Sequence, residues 1–118
     1  MAKFITIGYG DEDGYERTTP EVRDAAHAHD ARLQAAGVLT AIAGSPVQVR
    51  NTNAEGIATV PKAYMRSDLP VAGFAVIEAD TIDDAIALVA LTPCAVAHGV
   101  VEVWPLLEVT SGSPTTPS

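Results

Sequence analysis

His29 is the side chain best placed for chemistry in this sequence, because it lies in the apolar stripe of a predicted helix. The helix is predicted over Thr19 to Gly37, with Thr19 as N-cap, Pro20 in the first turn and Gly37 as the C-terminal stop. At about 100° per residue, one sector of this helix holds Val22, Ala25, Ala26, His29, Leu33 and Ala36. A neutral imidazole facing inward can accept a proton from a substrate, so His29 is the candidate general base.

A general-base histidine needs a carboxylate that orients its ring and stabilises its cation. Asp11, in a predicted loop after the first strand, and Asp68, in a predicted loop after residue 60, are the candidates. Asp30 is on the same helix but points about 100° away from His29. Two structural alternatives stay open: His29 can be a core histidine bonded to a backbone carbonyl, and Asp11 with Glu12 can form a solvated acidic turn.

The sequence predicts neither a metal site nor a cofactor. His27 and His29 are two apart on a helix and diverge, so one ion cannot bind both. Gly8, Gly10 and Gly14 do not have the spacing of a dinucleotide-binding loop. Cys94 has no base nearby in sequence and is predicted to be an inert, buried or half-buried thiol.

Composition bounds the class of protein. The chain has 118 residues and a net charge of −8, which argues for one domain and against binding to a phosphate backbone. It has a single cysteine, an N-terminal apolar run too short for a signal peptide, and no stretch near the roughly 20 apolar residues of a membrane span. We therefore expect a cytoplasmic protein that binds neither nucleic acid nor membrane.

Strand and helix signals alternate along the chain. The predicted strands are Lys3 to Tyr9, Val38 to Gly44, Gly73 to Ala79 and Gly99 to Val109. A second helix is predicted to start after Thr81 and to end at Thr92-Pro93. Between the second and third strands, Val47 to Arg50 and Ile57 to Val60 are predicted to form a small β-hairpin, and Pro61 to Ala72 an ordered loop. Residues 110–118 are predicted to be a disordered tail after a domain covering residues 1–109.

This order is α+β, the ferredoxin-like βαββαβ arrangement with an antiparallel sheet, two helices on one face and the hairpin inserted after the second strand. The other face of the sheet is too apolar for water, since Gly73 to Ala79 and the last strand are apolar at nearly every position. A second copy of the chain is expected to cover it, which makes the protein a homodimer.

Four segments resemble the YCII-related domain family, and within it the branch of DGPF-domain proteins. They are Tyr9-Gly10-Asp11-Glu12, Leu33 to Leu39, Gly73 to Glu78 running into Asp83-Asp84-Ala85, and Val101 to Leu106. The resemblance implies a dimeric α+β barrel with a pocket between the sheet and the first helix. In the family, a helix segment similar to His29 to Leu33 carries the suspected catalytic histidine, and a few members eliminate chloride from chlorinated hydroxyquinones.

The sequence departs from the family at the motif that names the branch. Pro61-Lys62-Ala63-Tyr64 stands at the Asp-Gly-Pro-Phe position, so the aromatic residue is kept and the acid is not. Asp68, in the same loop, is the possible substitute.

Two functions are compatible with these residues. The first is a small lyase or isomerase with His29 as base and Asp11 or Asp68 as partner, acting on a small aromatic or carbonyl compound. Its pocket would be walled by Phe4, Tyr64 and Phe74, with Arg66 available to an anionic substrate or simply solvated. The second is a non-catalytic dimeric module that binds a small metabolite or a protein partner.

Overall fold

The computed structural model of the protein describes residues 1–107, so the predicted tail at 110–118 lies outside the described residues. The fold is α+β, with one four-stranded antiparallel sheet, a small two-stranded sheet and a few helices. The elements are β1 (Ala2–Tyr9), α1 (Glu12–Arg17), α2 (Pro20–Ala35), β2 (Leu39–Ile42), β3 (Gln48–Arg50), β4 (Ala58–Val60), β5 (Val71–Ala79), α3 (Ile82–Val89), α4 (Pro93–Val96) and β6 (Val100–Pro105).

The main sheet has the strand order β2-β5-β1-β6, with every neighbouring pair antiparallel. This arrangement is compatible with a ferredoxin-like fold. β1 is central, and its register sets Phe4 opposite Ile77 of β5 and opposite Pro105 of β6. Pro105 therefore lies in an edge strand, the position that its missing amide hydrogen favours.

The core lies on the side of the sheet that carries Phe4. Phe4 and Ile77 from the strands pack with Ala85 and Val89 of α3, and all four are buried. α4 packs on the same side of β1, where Cys94 lies against Gly8. These contacts hold the helices to one face of the sheet.

The opposite face of the sheet is apolar, and no helix within residues 1–107 packs on it. Side chains alternate between the two faces of a strand, so the odd-numbered residues of β1 and their register partners lie opposite Phe4. We call this surface the open face; its main apolar members are Ile5, Ile7, Leu39, Phe74, Val76 and Trp104. Trp104 and Leu39 are exposed, with 51% and 67% of the residue surface accessible.

The structure corrects several element boundaries. Asp11 and Glu12 are not in a loop: Asp11 is the N-cap of α1, and Glu12 begins that helix. β5 starts at Val71, two residues before the predicted start, and residues 93–96 form the short helix α4 after the predicted end of the second helix. In α2 only Ala26 and Leu33 are buried, so the buried stripe is narrower than the sequence predicts.

Residues 1–107 contain no helix that combines the length and the apolar character needed to cross a membrane. The same residues hold no cluster of three or more histidine, cysteine or acidic side chains that could bind a metal ion.

Candidate functional site

A tyrosine–glutamate pair lines a cavity at one end of the main sheet. The Tyr9 hydroxyl donates a 2.6 Å hydrogen bond to Glu102 Oε1. Tyr9 ends β1, and Glu102 lies on β6 beside it, with Ile7 as its register partner. Both side chains are on the side of the sheet opposite Phe4, so the cavity opens at one end of the open face.

The segment between β4 and β5 forms the rest of this cavity. The cavity has a volume of about 450 Å³ and is lined by Tyr9, Met65, Arg66, Ser67, Asp68, Leu69, Val100 and Glu102. Gly10 N donates to the Pro70 carbonyl at 3.1 Å, which ties the end of the segment to the end of β1. Within the segment, Ser67 Oγ donates to the Leu69 carbonyl at 2.5 Å. We call this space the Tyr9–Glu102 cavity.

The environment of Tyr9 keeps its hydroxyl protonated. Its hydrogen bond to Glu102 is the main cause that raises the pKa of Tyr9, and burial and the negative charge of Glu102 raise it further. A phenol in this state is a hydrogen-bond donor and acceptor and not a base. Met65 Sδ, a weak acceptor, lies 3.7 Å from the same hydroxyl.

Asp68 and Arg66, two of the residues predicted as site residues, lie in this cavity. The cavity therefore has acidic groups, Glu102 and Asp68, and one basic group, Arg66, beside the apolar side chains of Leu69 and Val100. Such a lining suits a small polar molecule that carries both hydrogen-bond donors and acceptors.

His29 is engaged elsewhere. It is half-buried, and its Nε2 lies 2.6 Å from the backbone carbonyl of Leu88. A carbonyl only accepts, so Nε2 donates, and the proton of the neutral ring is on that nitrogen. Leu88 is in the last turn of α3, where carbonyls lack helical partners, and His29 satisfies one of them. Among the described residues, no carboxylate is within hydrogen-bond or ion-pair distance of His29.

The other predicted site residues do not meet in one pocket. Asp11 Oδ1 accepts from Gly14 N at 2.8 Å and caps α1. Phe74 pairs with Ile7, and register partners lie on the same face of a sheet. Ile7 is three residues from Phe4 on β1, so Phe4 and Phe74 lie on opposite faces. Tyr64 lines a second, separate cavity, described below.

Cys94 is half-buried against β1, and burial raises the pKa of its thiol, with a further contribution from the charge of Asp30. A thiolate is therefore scarce at neutral pH. This environment is that of an unreactive thiol.

Sequence reasoning missed Tyr9 and Glu102 as site residues. The available signal was the polar Glu102 inside the apolar run of the last strand, because an acidic side chain in such a run needs a partner or a solvent-facing cavity. A comparison of the sequence with protein-family models and with curated proteins found no match.

Proposed function

We propose that the protein is a homodimeric module that binds a small polar metabolite in the Tyr9–Glu102 cavity. In this proposal each chain has the ferredoxin-like βαββαβ topology with β3 and β4 as an inserted hairpin. The open faces of two chains pack together as the dimeric α+β barrel of the YCII-related family that the sequence resembles. The ligand is bound near that interface.

The observation that carries the binding role is the paired Tyr9 and Glu102 within a cavity of about 450 Å³. A carboxylate that already accepts from a tyrosine is held in one orientation and retains free lone pairs for a ligand. An amino or hydroxyl group of the ligand would donate to Glu102 or Asp68. A carboxylate or carbonyl group would accept from Arg66.

The dimer is supported by the chemistry of the open face. Ile5, Ile7 and Val76 form an apolar surface that adjoins exposed Phe74 and Trp104. Apolar patches of this kind on a sheet are covered in stable proteins, and a symmetric partner covers both copies at once. Because Tyr9 and Glu102 lie at the end of the same face, the partner would also help to close the cavity.

The contact between His29 and Leu88 favours binding over general-base catalysis. Nε2 already donates to the carbonyl, so a lyase or isomerase substrate would have to reach Nδ1 of a half-buried ring. The inward orientation of His29 is the observation that favours an enzyme. Ligand binding by variants of His29 and Glu102 separates the two functions.

The binding proposal is tested by an NMR screen of amino acids and hydroxy acids against the ¹⁵N-labelled protein. We expect a binder that shifts the amides of Tyr9 and Glu102, and we expect Glu102→Gln to weaken it by at least about tenfold, the effect of one charge-assisted hydrogen bond. His29→Ala should leave that affinity unchanged. Loss of binding in His29→Ala with retention in Glu102→Gln would instead support the histidine enzyme, and the absence of any binder would contradict both.

The dimer is tested by light scattering on Trp104→Asp. This change should shift the mass from two chains to one, because it introduces a charge into the interface. Leu91→Asp is the matched control, since Leu91 is 57% exposed, close to the 51% of Trp104, and lies between α3 and α4, away from the open face. A wild-type protein with the mass of one chain would rule the dimer out.

A further inference from the structure

Three basic side chains line one cavity beside the small sheet. The cavity has a volume of about 550 Å³, and its lining consists of Gln48, Arg50, Lys62, Ala63, Tyr64 and Arg66. We call it the basic cavity. No acidic residue is among those that line it.

The local backbone explains why these side chains converge. Gln48 and Arg50 are two apart on β3 and so point to the same side of that strand. The chain then returns through β4, and Gln48 Nε2 donates to the Lys62 carbonyl at 3.0 Å, which ties the following segment to β3. The Arg50 guanidinium lies over the ring of Tyr64, 5.7 Å from its centroid, and this cation–π contact orients it.

None of the three basic side chains of the basic cavity forms an ion pair within the described part of the chain. The described residues form two ion pairs, Lys3 with Glu78 and Arg17 with Asp13, and neither lies in the basic cavity. The chain has only seven basic residues against fifteen acidic ones, and three of the seven are in this cavity. Like charges in one cavity repel each other, and a bound anion removes that repulsion.

We propose that the basic cavity binds the phosphate group of a small phosphate ester. Two guanidinium groups offer forked donors that match phosphate oxygens, and the lysine adds a point charge, so three cations face one compact dianion. The exposed ring of Tyr64, 74% accessible, offers an apolar surface for the organic part of the ester. A nucleic acid is disfavoured, because the net charge of −8 repels a long phosphate backbone.

This site is separate from the one in the proposed function. Of its lining residues, only Arg66 also lines the Tyr9–Glu102 cavity. Phosphate binding is tested through Arg50 and Lys62, which do not line that cavity, so its failure can be told apart from a failure of the proposed function.

The test is isothermal titration of the protein with phenyl phosphate, inorganic phosphate and benzoate at low salt. Phenyl phosphate should bind tightest, and the affinity should fall as sodium chloride is raised, since the contacts are ionic. Arg50→Gln and Lys62→Gln should each weaken binding by at least about tenfold. These residues are exposed, so the variants should keep their fold, which circular dichroism will check.

The control is Arg32→Gln, which removes the same charge from an exposed position of α2 outside the cavity. Phenyl phosphate should bind this variant as it binds the wild type. Equal weakening by Arg32→Gln and Arg50→Gln would reveal a general effect of net charge and overturn the proposal. The proposal would also be overturned if benzoate or inorganic phosphate bound as tightly as phenyl phosphate, or if phenyl phosphate did not bind measurably. Tighter binding of a short single-stranded oligonucleotide than of the ester would overturn it as well.

Discussion

The imidazole of His29 lies 2.6 Å from the backbone carbonyl of Leu88, so that a side chain of α2 satisfies the C-terminal end of α3. The two residues are 59 positions apart in sequence, and their contact joins the helices across one face of the sheet. The one histidine that faces inward thus has a definite structural partner.

We predict that His29→Ala lowers the free energy of unfolding by about 1–2 kcal/mol, because a half-buried carbonyl loses its donor. Urea denaturation monitored by circular dichroism measures this. His27→Ala is the control, since His27 is exposed and its ring interacts with Tyr15 at the surface, through the hydroxyl at 2.9 Å and a tilted ring pair. A His29→Ala protein as stable as the wild type would contradict the structural role.

The Tyr9–Glu102 pair predicts a dependence of stability on alkaline pH. The pKa of Tyr9 is raised above its ordinary value of 10.0. The folded state therefore holds this proton more tightly than the unfolded state does. The resulting stability is fully present below pH 10 and is lost as the pH rises through the higher folded pKa.

Thermal unfolding between about pH 8 and pH 11 measures that loss, around the ordinary tyrosine pKa. Tyr9→Phe should reduce the alkaline decline relative to the wild type. Glu102→Gln should lower the pKa of Tyr9 in an ultraviolet titration, because both the hydrogen bond to a carboxylate and its negative charge are removed. A Tyr9 pKa that does not respond to Glu102→Gln would be incompatible with the 2.6 Å contact.

Thr19 and Thr81 are the N-cap residues of α2 and α3, and comparing them isolates the effect of the capping hydrogen bond. Thr81 Oγ1 accepts from Asp84 N at 3.1 Å and caps α3, whereas the Thr19 side chain makes no capping bond to α2. Thr81→Ala should therefore cost about 1 kcal/mol of unfolding free energy, and Thr19→Ala clearly less. Equal losses in chemical denaturation would mean that the side-chain bond is not what stabilises α3.

The packing of α4 on β1 predicts a coupling between Gly8 and Cys94. A Cβ added at Gly8 would lie 2.9 Å from Cys94 Sγ, so Gly8→Ala should destabilise the fold by about 1–3 kcal/mol. Cys94→Ala in the same chain should recover part of that loss, since it removes the sulfur. Gly56→Ala, where a Cβ would meet open space, is the control. Additive effects of the two changes in a double-mutant cycle would contradict the close contact.

Local signals predicted most of the secondary structure. The period of residues 19–37 and the cap at Thr81 identified α2 and α3. Aromatic and β-branched residues identified β1, and a nearly continuous apolar run identified β5. α1 was missed because Gly14 and a run of acidic residues are typical of a turn. However, Asp11 as N-cap, acids in the first turn and Arg17 in the last are also the signature of a short helix.

The candidate site depended on contacts that no local pattern contains. Orientation alone predicted that His29 faces inward, but its acceptor is in another helix. The partner of Tyr9 is 93 residues away, and only the register of β1 with β6 brings Glu102 to it. Phe4 and Phe74 were assigned to one pocket because the sequence alone does not show which residues of β1 and β5 are register partners, and hence which side chains share a face of the sheet.

Pro105 has a consequence for how molecules of this protein can associate. Leu106 N donates to the Lys3 carbonyl at 3.0 Å, so the nitrogen of the preceding residue points away from β1, toward the free edge. A proline there offers no hydrogen to an incoming chain, so strand addition is disfavoured at that end of β6. At this end of β6, a second molecule would therefore meet the flat apolar face of the sheet more readily than its edge.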